Sequence, residues 1–123
     1  MLSAHSYLND MDGSGVVKNI HVVEWASENG LEVVIIIYGS FDVRRQFEFS
    51  EAFRLIPEKA DRIIVDLEKT TYIDYAAVGM LLGLRTYSII NGIELRLRNC
   101  NNVVRPLIQR DCIDTVFNFD EYD

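Results

Sequence analysis

The sequence predicts an α/β domain in which helices pack on a mixed β-sheet. Residues 31–38 and 63–67 are dense in β-branched side chains, which is typical of strands covered on both faces. Segments of helix length separate the strand-like runs, and such spacing favours crossover connections within one sheet. The chain of 123 residues has the length of a single domain and can bury a core without disulfides or metal.

The first part of the chain predicts a leader followed by a β-hairpin. Residues 1–15 mix Ser, Asn, Asp and Gly with few hydrophobic side chains, so we expect a flexible leader before a domain at residues 16–123. Apolar side chains alternate imperfectly over residues 17–25. Residues 28–30, Glu-Asn-Gly, then supply turn chemistry before the strand at residues 31–38, which is typical of a hairpin.

The next segment predicts a helix, a second buried strand and a loop. Residues 39–42 break the preceding strand, and hydrophobic spacing over residues 43–59 favours a helix. Pro57 weakens the end of that helix because proline cannot donate a backbone hydrogen bond. The polar residues 68–71 follow the strand at residues 63–67 and predict a loop.

Asp74 predicts the start of a second helix. An aspartate at this position can accept hydrogen bonds from the first backbone N–H groups of a helix. The pattern indicates a helix over residues 75–91 that stops before Gly92, a residue suited to a helix end.

The last part of the chain predicts one strand, one short helix and one further strand. Residues 93–98 alternate apolar and charged side chains, as a half-exposed strand does. Residues 103–110 have the spacing of a short helix despite Pro106 near its start. Residues 116–119 predict a final strand before an acidic tail.

Composition excludes several classes of function. The formal charge of −7, from 12 Lys and Arg against 19 Asp and Glu, argues against nucleic-acid binding, which needs a basic surface. The first fifteen residues resemble no signal peptide, and no stretch approaches the roughly 20 apolar residues of a membrane span, so we expect a cytoplasmic protein.

Cysteine and histidine usage predicts neither a disulfide nor a metal site. In a reducing compartment, Cys100 and Cys112 are expected to be small buried thiols. His5 and His21 lie near neither a cysteine nor each other, so we expect no metal ion and no cofactor.

Several landmarks occur together in the order found in one known family. The text RIIVDLEKTTYIDYAAVGMLLG, which contains residues 63–83, resembles the central block of STAS domains, where a strand ending in Asp-Leu leads to Asp, two small residues and a helix with Leu-Gly. Residues 39–42, 91–97 and 102–117 resemble the family's other landmarks. The resemblance covers about three quarters of the chain and implies a single STAS-like domain of the type in bacterial anti-sigma factor antagonists.

The sequence departs from these antagonists at one functional position. In the proteins it resembles, the residue after the capping aspartate is a serine phosphorylated by a partner that is both kinase and anti-sigma factor. Here that residue is Tyr75, and the next two, usually Ser and Gly, are Ala76 and Ala77. A tyrosine hydroxyl lies several bonds further from the backbone, so a kinase that reaches a serine should not phosphorylate it. We therefore expect the standard serine switch to be absent.

Other hydroxyls and aspartates offer alternative chemistry. Ser40, Thr70 and Thr71 are weaker candidate phosphosites, since loop hydroxyls are common. The aspartates near strand ends suggest a Mg²⁺-dependent phosphoacceptor or an enzyme, but a receiver domain also needs a lysine near the end of its sheet. The lysines, all elsewhere, are Lys18, Lys59 and Lys69. Capping and turn roles for Asp42, Asp66 and Asp74 are the stronger interpretation, so we expect no catalytic residues.

The predicted helix at residues 75–91 is apolar around much of its circumference. One side carries Ala77, Met80, Leu81 and Leu84; the other carries Val78, Leu82 and Ile89, with Gly79 and Gly83 forming a stripe of small residues. One side must cover the sheet, and the other is either more core or a surface for a partner or a second copy. The pattern leaves both alternatives open.

These observations and the resemblance together predict a non-catalytic regulatory module that binds a protein. The resemblance implies an anti-sigma factor or a related kinase-like switch protein as partner. The alternative is an accessory STAS subunit of an ABC-type lipid transport complex, which needs no phosphoserine. The predicted partner-binding residues are Asp42, Asp74, Tyr75, Ala76, Val78, Gly79 and Leu82.

Overall fold

The computed structural model describes residues 3–6, 18–110 and 118–120. In chain order, the strands are β1 (Ser3–Ser6), β2 (Ile20–Ser27), β3 (Gly30–Ile37), β4 (Gly39–Phe41), β5 (Arg62–Asp66), β6 (Thr70–Ile73), β7 (Glu94–Arg98) and β8 (Asn118–Asp120). The helices are a short 3₁₀ helix (Val43–Arg45), α1 (Gln46–Arg54), α2 (Tyr75–Asn91) and α3 (Val104–Arg110).

Six of these strands form a mixed sheet in the order β1-β2-β3-β5-β7-β8. β1, β2 and β3 are antiparallel neighbours, whereas β3, β5, β7 and β8 run parallel and are joined by crossovers that contain the helices. The predicted α/β fold with a mixed sheet is confirmed. The predicted hairpin is confirmed too: β2 and β3 pair in register around a turn that ends at Gly30, whose φ of 111° suits glycine.

All three helices contribute side chains to one core on one face of this sheet. Strand residues such as Ile35, Val65 and Leu97 pack there with helix residues such as Phe49 and Ile108. α2 turns Ala77, Val78, Leu81 and Leu84 toward the sheet and leaves Gly79, Leu82, Ile89 and Ile90 exposed. The structure therefore answers the question that the helix pattern left open, because Val78 packs with the Ala77–Leu81–Leu84 side rather than with Leu82.

The helix at residues 75–91 agrees with the prediction at both ends. Asp74 caps its start, and Gly92 ends it in a left-handed conformation with φ 66°. The N–H of Ile93 donates to the carbonyl of Ser88 at 2.8 Å, which satisfies one of the last helical carbonyls.

Four local predictions are corrected by the structure. Ser3–Ser6 pair with β2, whereas we expected the first fifteen residues to have little structure; the other leader residues lie outside the described part. α1 ends at Arg54 rather than at residue 59, because Pro57 disfavours helical backbone at the residue that precedes it. The expected break at residues 39–42 contains β4, and the expected loop at residues 68–71 contains the start of β6, because these two segments pair with each other.

The C-terminal predictions agree in part. α3 begins one residue later than expected, at Val104, and Asn118–Asp120 form β8, while residues 116–117 of the predicted strand lie outside the described residues. Cys100 is half-buried rather than buried, and Cys112 is also outside the described part. No helix within the described ranges is long and apolar enough to cross a membrane.

Replacing Leu81 with Ala is expected to destabilise the fold by about 2–5 kcal/mol, because a fully buried leucine leaves a cavity. The neighbouring Leu82 is 37% exposed and provides the matched control, so Leu82→Ala should cost less than about 1 kcal/mol. Urea denaturation followed by circular dichroism measures both values. Equal losses for the two variants would contradict the orientation of α2.

Candidate functional site

A small parallel pair of strands brings two aspartates together. β4 and β6 pair so that Phe41 lies opposite Ile73, and the next residue of each strand is an aspartate, Asp42 and Asp74. The backbone N–H of Asp74 donates to the carbonyl of Phe41 at 3.3 Å, which extends this pairing by one hydrogen bond. The starts of the 3₁₀ helix and of α2 therefore lie side by side.

Asp74 connects these two helix starts through its carboxylate. Oδ1 accepts the backbone N–H of Ala77 at 2.9 Å, which is the N-cap bond of α2. Oδ2 accepts the N–H of Val43 at 3.3 Å, at the first residue of the 3₁₀ helix. One side chain thus satisfies unpaired N–H groups on two segments separated by 31 residues.

Asp42 has a similar role on the 3₁₀ helix but a different partner. Its Oδ1 accepts the backbone N–H of Arg44 at 3.0 Å. The Arg44 guanidinium donates hydrogen bonds to both carboxylate oxygens, and the shortest joins Nη2 to Oδ2 at 2.8 Å. The hydrogen bond from the Arg44 side chain holds the pKa of Asp42 below its ordinary value. The same contact raises the already high pKa of Arg44.

Buried and half-buried polar side chains form hydrogen bonds that connect the elements around Asp42 and Asp74. Glu48 of α1 accepts the backbone N–H groups of Asn19 and Ile20 at 2.7 and 3.2 Å, which ties the start of β2 to the helix. The Thr70 hydroxyl donates to the carbonyl of Ile37 at 2.9 Å and links β6 to the end of β3. The geometry of the site is therefore fixed by several elements at once.

The Asn101 side chain makes five such hydrogen bonds. Its amide Nδ2 donates to the carbonyls of Leu67, Glu68 and Thr70 at 3.1, 3.1 and 2.8 Å. Its Oδ1 accepts the N–H groups of Val103 and Val104 and so caps the start of α3. This side chain joins α3 to the β5–β6 loop that leads to Asp74.

Large apolar side chains are exposed around the two capped helix starts. Tyr75, the first residue of α2, is 71% exposed, and Val43, whose N–H bonds to Asp74, is 57% exposed. Phe47 follows Val43 by four residues, about one helical turn, and is 73% exposed. Exposed phenylalanine and tyrosine side chains beside a hydrogen-bonded backbone are typical of a protein-docking surface. We call Val43, Phe47 and Tyr75, together with the capping residues Asp42 and Asp74, the head surface.

The structure places the other predicted partner-binding residues unequally. Gly79 is exposed with open space above it, Leu82 is partly exposed, and Ala76 is half-buried. Val78 is buried in the core, so its prediction as a partner contact is corrected. The reason is its position one residue after Ala77, on the flank of α2 that the sheet also covers.

The candidate phosphosites also differ in access. Thr70 is 1% exposed and its hydroxyl is engaged with Ile37, so its prediction as a phosphosite is corrected: an enzyme cannot reach it in the folded chain. Ser40 is half-buried and Thr71 is exposed.

The third aspartate, Asp66, is engaged like the other two. Its Oδ1 accepts the N–H of Glu68 at 3.0 Å, and the Asn99 amide approaches both oxygens at 3.4 Å. All three aspartates at the strand ends therefore have the turn and capping bonds expected of them. Over residues 18–108, no three His, Cys, Asp or Glu side chains are grouped so that they could hold a metal ion.

Sequence reasoning missed Arg44, Val43, Phe47 and Asn101. Asp42 with Arg44 two residues later, and Asn101 three residues before α3, are spacings typical of a capping side chain and the N–H that it accepts. The sequence therefore contained a signal for both residues. Val43 and Phe47 carried no such signal, since apolar residues at helical spacing are usually core. Only the positions of the 3₁₀ helix and of α1 relative to the sheet leave them exposed.

Comparison with known proteins identifies relatives for most of the chain. The STAS domain family model matches residues 21–121. A STAS-domain containing protein of Pseudomonas aeruginosa is 33% identical over 91 residues, which is 74% of this chain and 90% of that protein.

Two solved structures share the fold. A proposed anti-sigma factor antagonist of Thermotoga maritima superposes with a TM-score of 0.69 at 13% identity, covering 80% of this chain and 85% of that chain. A sulfate transporter family protein of Wolinella succinogenes superposes with a TM-score of 0.63 at 16% identity, covering 71% and 75%. At these identities the likeness shows a common fold and no more.

Replacing Asp74 with Ala is expected to destabilise the chain by about 1–2 kcal/mol, because the helix loses its N-cap bond. Asp74→Asn keeps one acceptor oxygen for Ala77 and should cost less, so the difference reports on the second bond from Val43. Urea denaturation gives the free energies, and amide hydrogen exchange at Ala77 and Val43 identifies the bond that is lost. Glu58→Ala, at an exposed turn carboxylate, is the control, and a cost equal to that of Asp74→Ala would contradict the capping role.

Replacing Arg44 with Gln is expected to raise the pKa of Asp42 toward the ordinary aspartate value, because the side-chain hydrogen bond and the positive charge are removed. Since folding lowers this pKa, the pair adds stability above the ordinary aspartate pKa and loses it as the pH falls through the lowered value. A carboxyl ¹³C NMR titration from about pH 7 to pH 2 measures the shift. Arg54→Gln, which breaks the Arg54–Glu51 pair on α1, should leave Asp42 unchanged.

Proposed function

Since the chain belongs to the STAS domain family, we propose that it is a non-catalytic regulatory module whose head surface docks a protein partner. The observation that carries the proposal is the exposure of Val43 and Tyr75 at helix starts that Asp42 and Asp74 cap, with the exposed Phe47 one helical turn after Val43. A preorganised surface loses little conformational entropy on binding, so exposed aromatic side chains there can contribute affinity efficiently.

The proposed partner is an anti-sigma factor or a related kinase-like switch protein in the cytoplasm. Support comes from the sequence resemblance to anti-sigma factor antagonists and from the shared fold with the Thermotoga maritima protein. The predicted contacts remain Asp42, Asp74, Tyr75, Ala76, Gly79 and Leu82, to which the geometry adds Val43 and Phe47. The two aspartates act as organisers in this proposal, because their oxygens already accept hydrogen bonds within the chain.

The proposed module works without the serine switch of the antagonists it resembles. A phosphoserine at the first residue of α2 would lie against the unpaired N–H groups of the helix start. Tyr75 instead carries its hydroxyl on an aromatic ring that is 71% exposed. Tyr75 then contributes contact area rather than a switched charge, and partner release follows from another signal.

The same geometry supports a role that needs no catalysis. Asp42, Asp66 and Asp74, the residues a phosphoacceptor or hydrolytic site would use, bond to neighbouring backbone N–H groups in turns and caps. Their placement is explained by local structure, so no reaction has to be invoked to account for them.

An accessory role in an ABC-type lipid transport complex is the second candidate. The observation in its favour is Tyr75 itself, because a subunit that braces an ATPase has no need of a phosphorylatable serine. Both candidates use the head surface and differ in the partner. Identification of the bound protein therefore separates them.

Tagged wild-type protein, Tyr75→Ala and Ile90→Ser should be compared by affinity capture from lysate of the native host with quantitative mass spectrometry. Ile90 is 75% exposed at the far end of α2, about 22 Å from Tyr75 along the helix axis, and provides a matched loss of apolar surface. We expect one protein to be captured by wild type and Ile90→Ser but lost at least tenfold with Tyr75→Ala, as for a hot-spot residue.

The captured protein is then purified, and calorimetric titration tests the direct contact. A kinase-like or anti-sigma protein supports partner switching, whereas a transport ATPase supports the second candidate. Equal affinity of wild type and a Tyr75→Ala, Phe47→Ser double variant would overturn the head surface as the docking site. Capture of the chain itself alone would favour a homodimer over both candidates.

A further inference from the structure

A cavity of about 380 Å³ opens between the helices α1 and α2. Phe49 and Phe53 of α1 and Met80 and Gly83 of α2 contribute to its lining. The space between packed helices is a common place for a small-molecule site, and this volume is within the range of such sites. None of the lining residues belongs to the head surface, so the docking function does not account for this cavity.

Aromatic rings form the α1 wall of the cavity. Phe49 is buried, and the centroid of its ring lies 5.5 Å from that of Phe41 in the core. Phe53 is half-buried, with its ring centroid 6.4 Å from that of Phe49 and 4.9 Å, edge to face, from that of Tyr87. Ring pairs at these distances attract each other and hold the wall in place. An apolar ligand therefore meets a preformed surface and removes the exposed part of Phe53 from water.

The α2 side of the cavity contains open space. Gly83 lies in the interior of α2, where glycine destabilises a helix relative to alanine. Apart from the neighbouring backbone of α2, no atom of the described chain lies within 4 Å of the position that a Cβ on Gly83 would take. Packing inside the chain therefore does not require a glycine there. Met80 is half-buried and supplies a flexible thioether to the same wall, which adapts to apolar groups of different shape.

The polar side chains of the lining carry no unpaired charge. Arg54 is the one charged residue among those that line the cavity, and its Nη1 donates to Oε2 of Glu51 at 3.0 Å. Gln46 and Ser50 are exposed and add a neutral amide and a neutral hydroxyl. An ion would lose hydration here without finding an unpaired opposite charge, whereas a hydroxyl or amide can exchange water for Ser50 or Gln46. The lining therefore favours an uncharged ligand.

We propose that the cavity between α1 and α2 binds a small uncharged amphiphile. Its apolar body lies on Phe53 and Met80, and its hydroxyl or amide head bonds to Ser50 or Gln46. The proposal goes beyond the docking function and does not rest on it, because the cavity and the head surface share no residue. Each further CH₂ group that the cavity removes from water should strengthen binding about fourfold.

Met80 provides a reporter within the cavity. The other methionines, Met1 and Met11, lie in the first fifteen residues, and Met80→Leu identifies the Met80 signal. Full-length protein with ¹³C-labelled methionine methyl groups is titrated by NMR with 1-hexanol, hexanoate and hexylammonium, which have the same alkyl chain length and differ in charge. We expect a saturable shift of the Met80 signal with 1-hexanol and at least fivefold weaker binding of both ions. No saturable shift with 1-hexanol, or equal binding of the three probes, overturns the proposal.

A series of alcohols tests the burial of the apolar body. The same titration is repeated with 1-butanol, 1-pentanol and 1-heptanol. We expect the affinity to rise about fourfold from each alcohol to the next longer one, since each adds one CH₂ group. An affinity that does not depend on chain length contradicts insertion of the chain into the cavity.

Variants that fill the cavity test its position. Gly83→Leu places a side chain in the open space and should weaken 1-hexanol binding at least tenfold. Thr86→Leu adds the same side chain at an exposed position of α2 outside the lining, so this matched control should bind as wild type does. If circular dichroism shows that Gly83→Leu does not fold, Ser50→Leu at the exposed rim replaces it, with the same expected loss. Unchanged affinity in a folded cavity-filling variant overturns the site.

Discussion

The carboxylate of Asp74 joins two helix starts that are 31 residues apart in the chain. The geometry of the head surface depends on this junction. One oxygen caps α2 and the other holds the N–H of Val43 at the start of the 3₁₀ helix. Without it, the exposed side chains of Tyr75 and Val43 would lie on two helix ends with unpaired donors, which tend to fray. A local capping bond thus also sets the relative position of two surface elements.

The short β4–β6 pair is what makes this junction geometrically attainable. It brings Phe41 opposite Ile73, so the next residues, Asp42 and Asp74, necessarily meet. Thr70 and Asn101 tie the β6 side of this pair to β3 and α3. The two capped helix starts are consequently attached to several elements of the fold at once.

The two faces of the main sheet differ in what covers them and in their side chains. One carries the helices and the continuous apolar core, and α2 exposes on its outer side a surface that contains no charged residue between Tyr75 and Leu84. The opposite face carries alternating charges, Trp25 and a cavity. The two faces of the sheet therefore differ in chemistry, because the helices cover one face and charged side chains such as Glu32 and Arg62 lie on the other.

The sequence by itself determined the α/β class, the β2–β3 hairpin, and the α2 helix with its Asp74 cap and Gly92 end. These features depend on neighbouring residues: alternation, turn residues and capping spacing act over a few positions. The resemblance to known proteins added the family, and it indicated that Tyr75 stands where the antagonists have a phosphorylated serine. The pairing of β4 with β6, the burial of Val78 and Thr70, and the exposure of Val43 and Phe47 were decided by the tertiary structure. Each of them depends on contacts between segments far apart in the chain, and no local pattern records which segments will meet.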